Sequence, residues 1–119
     1  MKEKKEIKEL ERVLKCYFRL GLDSRRLSFF QVADRIRGYS AGNARRAREL
    51  VAVYELLRFF RAMGRVEIID TVYYIAGKKD SGEQAQSVLA YSMKNYCDER
   101  TVYRRINCIL RLYERLLKI

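Results

Sequence analysis

The chain has 119 residues, with 26 lysines and arginines against 15 acids and a formal net charge of +11 at pH 7. Its 49% hydrophobic content suffices for the core of one ordinary domain, or of two small lobes sharing a core, and argues against an intrinsically disordered chain. The absence of proline and the presence of only six glycines favour long, lightly interrupted helices over a strand-and-turn fold.

Residues 2–20 begin as a mixed-charge run in which Glu3, Glu6 and Glu9 meet lysines at helical spacing. The run then turns amphipathic, with Ile7, Leu10, Leu14, Tyr17 and Phe18 on one face of a predicted helix. Such a stripe serves a helix packed on its own domain or a dimerisation helix. Gly21 ends it, and Asp23 or Ser24 is placed to cap a second helix. From Leu27 to Ile36, the set Leu27, Phe30, Ala33 and Ile36 keeps a helical step, and Phe29 and Val32 widen the side expected to be buried. Gly38 to Gly42 reads as a loop. A longer helix is expected from about Asn43 to Met63, its apolar side carried by Leu50, Val53, Tyr54, Leu57 and Phe60.

Residues 25–65 contain 10 arginines, 3 acids and no lysine. Arg45, Arg46 and Arg48 cluster at the start of the long helix, where guanidinium forks and free backbone N–H groups suit a phosphate. The competing reading pairs these arginines with Glu49, Glu55 or acids of the C-terminal part.

Gly64 interrupts the helix, and Val66 to Ala76 reads as the next, with Val66, Ile69, Val72 and Tyr73 towards the core. Gly77 to Gly82 is a predicted turn, and Ser81 with Gln84 has the spacing of a capping box for a helix over Glu83–Tyr96. That helix is expected to bury Ala85, Val88, Leu89 and Met93. Asp98 is the predicted N-cap of the last helix, which runs to about Lys118. Val102, Ile106, Ile109, Tyr113 and Leu116 fall on one stripe of it, while Arg100, Arg104, Asn107 and Arg111 fall opposite, with Tyr103 on the shoulder. A helix that is capped after a short turn, packs on one side and shows arginines on the other has the layout of a helix-turn-helix recognition helix.

The run Asp98-Glu-Arg-Thr-Val-Tyr-Arg-Arg-Ile106 resembles the Ser-x-x-Thr-Val-x-x-x-Ile/Leu recognition-helix signature of the sigma-factor region 4 class, in particular of the ArpU-like and RinA-like phage late-gene regulators. The likeness covers roughly the last 55 residues; Asp98 stands where serine is usual, and the preceding helix is longer than the compact first helix of the motif. It implies a transcriptional activator acting at a bacterial or prophage promoter, with RNA polymerase as a candidate further partner.

With no histidine, no phosphate-loop glycine pattern and no paired cysteine spacing, the sequence carries no active-site signature, so neither catalysis, a metal nor a cofactor is expected. Cys16, Cys97 and Cys108 read as reduced, partly buried thiols of a cytoplasmic protein. No membrane span or signal core is expected. What remains is an all-α binding protein of five to six helices. Residues 1–64 form an arginine-rich N-terminal lobe, packed against or sharing a core with a helix-turn-helix region over 65–119. As a reader of double-stranded DNA it would set Arg100, Arg104 and Asn107, with Tyr103, against base edges in the major groove. Thr101 and Arg105, with some of Arg45, Arg46 and Arg48, would hold phosphates. A homodimer fits paired half-sites. The alternative is a helical assembly protein, such as a small phage packaging subunit or an adaptor for an acidic partner, which needs the same apolar stripes and tolerates the same charge.

Overall fold

The computed structural model describes residues 2–23, 26–77 and 88–118, with side chains from Lys5 onward. The protein is all-α. Among the described residues the helices are α1 (Lys2–Arg19), α2 (Phe29–Tyr39), α3 (Ala44–Ala62), α4 (Val66–Ile75), α5 (Val88–Lys94) and α6 (Glu99–Leu117). One continuous core runs from Leu10 in α1 to Tyr113 in α6, so both halves of the sequence share it. Helix α6 packs on α1, α3, α4 and α5, and α3 also meets α1, α2 and α4. These two longest helices occupy the middle of the bundle, and the other helices cover them.

The three long helices follow their sequence periodicity. In α1, Leu10, Val13, Leu14 and Tyr17 are buried while Ile7 and Phe18 lie at the edge. Leu50, Val53, Leu57 and Phe60 of α3 are buried as predicted, and Leu56 and Ala52 join them. In α6, Val102, Ile106, Ile109 and Tyr113 are buried, Leu110 with them, and Leu116 is half-buried. Fully burying each such aliphatic side chain contributes about 1.5–3 kcal/mol.

The short helices depart from the expected phase. Ser28, not Asp23 or Ser24, caps α2: the Gln31 N–H donates to Ser28 Oγ at 3.3 Å, and the Ser28 N–H donates to Gln31 Oε1 at 2.8 Å, a full capping box. Phe29 and Phe30 therefore sit in the first turn and are exposed, leaving Val32 and Ile36 as the buried pair. The helix also continues through Gly38, at the position where the glycines suggest a loop. In α4, Val66 is exposed, and Ile68, Thr71, Val72 and Ile75 turn inward. In α5, Leu89 and Met93 are exposed, whereas Tyr91 and Ser92 are buried. Ala85, the predicted Ser81–Gln84 capping box and the start of the Glu83–Tyr96 helix lie outside the described residues.

Tyr91 sets the phase of α5. Its ring stacks on Tyr74 of α4 with centroids 4.0 Å apart and planes 14° from parallel. Its hydroxyl donates to Asp70 and lies 3.5 Å from Thr71 Oγ1. An aromatic ring that finds both a stacking partner and an acceptor outcompetes Leu89 and Met93 for the inward position.

The turn into α6 carries the one described non-glycine residue with positive φ, Tyr96 at 53°. The Cys97 N–H donates to the Ser92 carbonyl and the Tyr96 N–H to the Met93 carbonyl, the Schellman pairing that closes a helix on a left-handed residue. Gly21 and Gly64 hold the equivalent position after α1 and α3. The Tyr96 side chain is 97% exposed, so replacing it with glycine removes strain and no packing. We predict that Tyr96→Gly stabilises the fold by about 0.5–1 kcal/mol in urea unfolding; a loss of stability would mean that the ring makes a contact in solution.

Burial holds the Tyr17, Tyr91 and Tyr113 phenols above the ordinary tyrosine value, the Asp70 contact adding to it for Tyr91 and the charge of Glu49 for Tyr113. Their contribution to stability is intact below about pH 10, where unfolded tyrosine titrates, and is lost as pH rises towards the raised folded values. Each phenol should cost about 1.4 kcal/mol at a pH of about 11. Denaturation midpoints at neutral and alkaline pH check this, and equal midpoints would contradict it.

Candidate nucleic-acid interface

Asp98 takes the N-cap position of α6 with extended backbone, and its carbonyl accepts from the Thr101 and Val102 N–H groups. Its side chain makes no cap hydrogen bond, so the expected capping by the carboxylate is replaced by capping through the backbone alone. With the buried stripe of α6 turned to the core, the steps of three and four residues from Arg100 through Arg104, Asn107 and Arg111 to Arg115 trace the other side of the helix. Arg100, Arg104, Arg111 and Arg115 are exposed and Asn107 is half-exposed.

Among the described residues the ion pairs involve Arg12, Lys15, Arg37 and Arg65, none of them on this face. Arg100 with Arg104 and Arg111 with Arg115 are like charges one helical turn apart, each pair costing a few tenths of a kcal/mol. The fold gains nothing visible from this arrangement, and an anionic ligand would.

The arginine side of α6 forms one wall of an open groove of about 680 Å³. The opposite wall comes from α3, through Phe59, which is half-exposed, and the edge of buried Phe60. Tyr103, 49% exposed, lies in the same groove with Arg100, Arg104 and Asn107, so all four predicted base-reading residues come together. Among the described residues, the N-terminal half of the chain flanks this surface through Phe59 and Phe60 and leaves its arginines exposed. Cys108 is exposed in the groove, correcting the expectation that all three thiols are partly buried; Cys16 and Cys97 are. Phe59, Cys108 and Arg115 join the groove without having been expected there. Arg115 continues the arginine spacing and is legible from it, whereas Phe59 reaches the site only through the packing of α3 on α6.

The predicted phosphate-holding residues are dispersed. Thr101 and Arg105 are half-buried and lie outside the groove. Arg105 sits on the α4 side: the Glu67 carboxyl is held below its ordinary value first by the hydrogen bond from Arg65 at 2.6 Å and its own backbone, and further by the charge of Arg105. Arg45, Arg46 and Arg48 do not form one clamp. Arg45 faces a hollow that holds Glu6, Glu9 and Glu114, Arg46 lines a different pocket against α1, and Arg48 is exposed apart from both. Consecutive helical positions diverge by about 100°, which a shared phosphate does not tolerate.

Glu49, the expected counter-ion for these arginines, is paired instead with Arg12 of α1. The two are 3.1 Å apart, and the Glu49 side chain is 7% exposed. Arg12 also meets Glu9 at 3.1 Å, and that hydrogen bond is the main cause of its raised pKa. No grouping of His, Cys, Asp and Glu suited to a metal ion occurs among the described residues. No described helix is long and apolar enough to cross a membrane.

Arg12→Ala should leave the Glu49 carboxylate buried without its partner and cost about 1–3 kcal/mol, the half-exposed arginine limiting the loss. Arg48→Ala should cost under about 0.5 kcal/mol. Urea unfolding of the two variants tests this, and equal effects would show that Glu49 is solvated.

A scan of the chain against protein-family models gives no match, and comparison with curated proteins and with solved structures gives none either.

Proposed function

We propose that the protein is a sequence-specific DNA-binding transcriptional regulator that reads the major groove with α6. The observation that carries this reading is the row of exposed arginines on α6, with Asn107 among them and no acidic partner for the arginines among the described residues. Arginine forks match the O6 and N7 acceptors of guanine, and asparagine matches the N6 donor and N7 acceptor of adenine. Arg100, Arg104 and Asn107 take the base edges, with Tyr103 beside them. Arg111 and Arg115, further along the helix, with Thr101 and Arg105 at its margins, take backbone phosphates. The short turn before α6 and the likeness of Asp98–Ile106 to phage late-gene regulators support the same assignment.

A second reading rests on Phe59 and Phe60. They give the groove an apolar wall, which suits an acidic helix of a protein partner as well as it suits a duplex edge. The two readings separate in a selection of bound duplexes from a random pool at physiological salt. The regulator yields an enriched motif, whereas a purely electrostatic binder yields a featureless pool and loses its affinity as salt rises. With the motif in hand, Arg104→Ala should cost about 1–3 kcal/mol of discrimination at one base position and leave the fold unchanged. Equal loss on specific and random duplexes would instead make Arg104 a phosphate contact.

A further inference from the structure

A smaller pocket, of about 140 Å³, lies on a part of the surface that shares no lining residue with the α6 groove. Helix α1 contributes Arg12, Cys16 and Arg19, the end of α2 contributes Tyr39, and α3 contributes Arg46 and Glu49. Arg12 is tied to both Glu9 and Glu49, whose two carboxylates exceed its single charge by one, and Glu49 itself lines the pocket. Arg19 and Arg46 are exposed, and neither has an ion pair among the described residues.

We propose that this pocket binds a tetrahedral oxyanion, a phosphate or the head of a phosphate ester, held by the guanidinium groups of Arg19 and Arg46 and the hydroxyl of Tyr39. The lining holds three guanidinium groups, of Arg12, Arg19 and Arg46, against the one carboxylate of Glu49, and this excess of positive charge opposes the charge of about −1.5 to −2 that a phosphate monoester carries near neutral pH. The donors come from three helices rather than from one face of a single helix, an origin that suits a tetrahedral anion better than a planar carboxylate. The volume is below the roughly 300–1,000 Å³ of pockets that enclose a whole small molecule, so the pocket accepts a head group and leaves the remainder outside. Tyr39 sits within the field of both arginines, and its phenol, protonated at neutral pH like any tyrosine, is available as a donor. The site takes Arg46 away from the clamp with Arg45 and Arg48 that local spacing suggested, and it does not depend on the DNA-reading role of α6.

The test is calorimetric titration of the full chain with inorganic phosphate at constant ionic strength, chloride replacing phosphate in the reference. One saturable site is expected. Arg19→Ser and Arg46→Ser should each weaken it about tenfold or more, the loss of a charge-assisted hydrogen bond. Tyr39→Phe, which keeps the ring, should weaken it by a smaller factor. Arg48→Ser makes the same charge change elsewhere and should leave the affinity within about twofold. Circular dichroism of each variant checks that the helices persist. A second titration in the presence of saturating duplex separates the sources of the phosphate. Heat abolished by the duplex assigns the pocket to a nucleic-acid backbone phosphate, and heat retained assigns it to a free phosphate or phosphate ester. No saturable heat at millimolar phosphate, or equal weakening by Arg48→Ser, would overturn the proposal and leave only a diffuse positive surface.

Discussion

Helix α6 meets two different surroundings at once, and the rest of the architecture depends on that. Val102, Ile106, Ile109, Leu110 and Tyr113 are in the core, which fixes the rotation of the helix about its axis. Once that rotation is fixed, the placement of Arg100, Arg104 and Arg111 in solvent is no longer independent, because the steps that bury one side expose the other. Four helices are recruited to cover the apolar side, and α3 among them brings Phe59 to the margin of the arginine face. An aspartate at Ile106 would therefore disturb more than one contact: it would place an unpaired charge under the helix on which α1, α3, α4 and α5 converge.

How legible each element is in the sequence depends on its length and on the contrast between its faces. Helices α1, α3 and α6 span 18, 19 and 19 residues, long enough for a period of 3.6 to recur over several turns; α1 and α6 also have strongly contrasting faces, whereas α3 exposes Val51 and Phe59 and buries Glu49, so its length alone makes it legible. In α4, of 10 residues, and in the seven described residues of α5, several stripes compete with similar apolar content. Partners distant in sequence make the choice there: Tyr74 and Asp70 draw Tyr91 inward, and Leu89 and Met93 rotate out. The capping box at Ser28 and Gln31 is legible in principle, since it has the same spacing as Ser81 and Gln84, but the apolar run beginning at Leu27 obscures it. Of the site, the α6 face can be read locally. The apolar wall and the pocket around Tyr39 are products of packing between helices and have no local signature.

The arginines divide according to what surrounds them. Arg12 and Arg65 are held by carboxylates, Arg12 joining α1 to the buried Glu49 of α3 across the bundle. Arg45 faces a hollow rich in glutamate. The remaining exposed arginines on α6 have no ion pair among the described residues, nor have Arg19 and Arg46, although those two share their pocket with Glu49, and on these groups positive charge is available to an external anion. A net charge of +11 is thus less informative than its partition. The structural pairs explain part of the excess, and some of the unmatched groups gather on two separate surfaces, while Arg48, Arg58 and Arg61 are exposed outside both.

Whether the uncovered side of α6 meets a duplex can be seen by mapping amide and arginine side-chain NMR shifts of the labelled protein as a short duplex is added. Shifts concentrated on Arg100, Tyr103, Arg104 and Asn107 are expected, with Phe59 at their margin and the α1 and α2 signals largely still. Shifts centred on the N-terminal helices, or none above those produced by salt alone, would refute a DNA-reading α6.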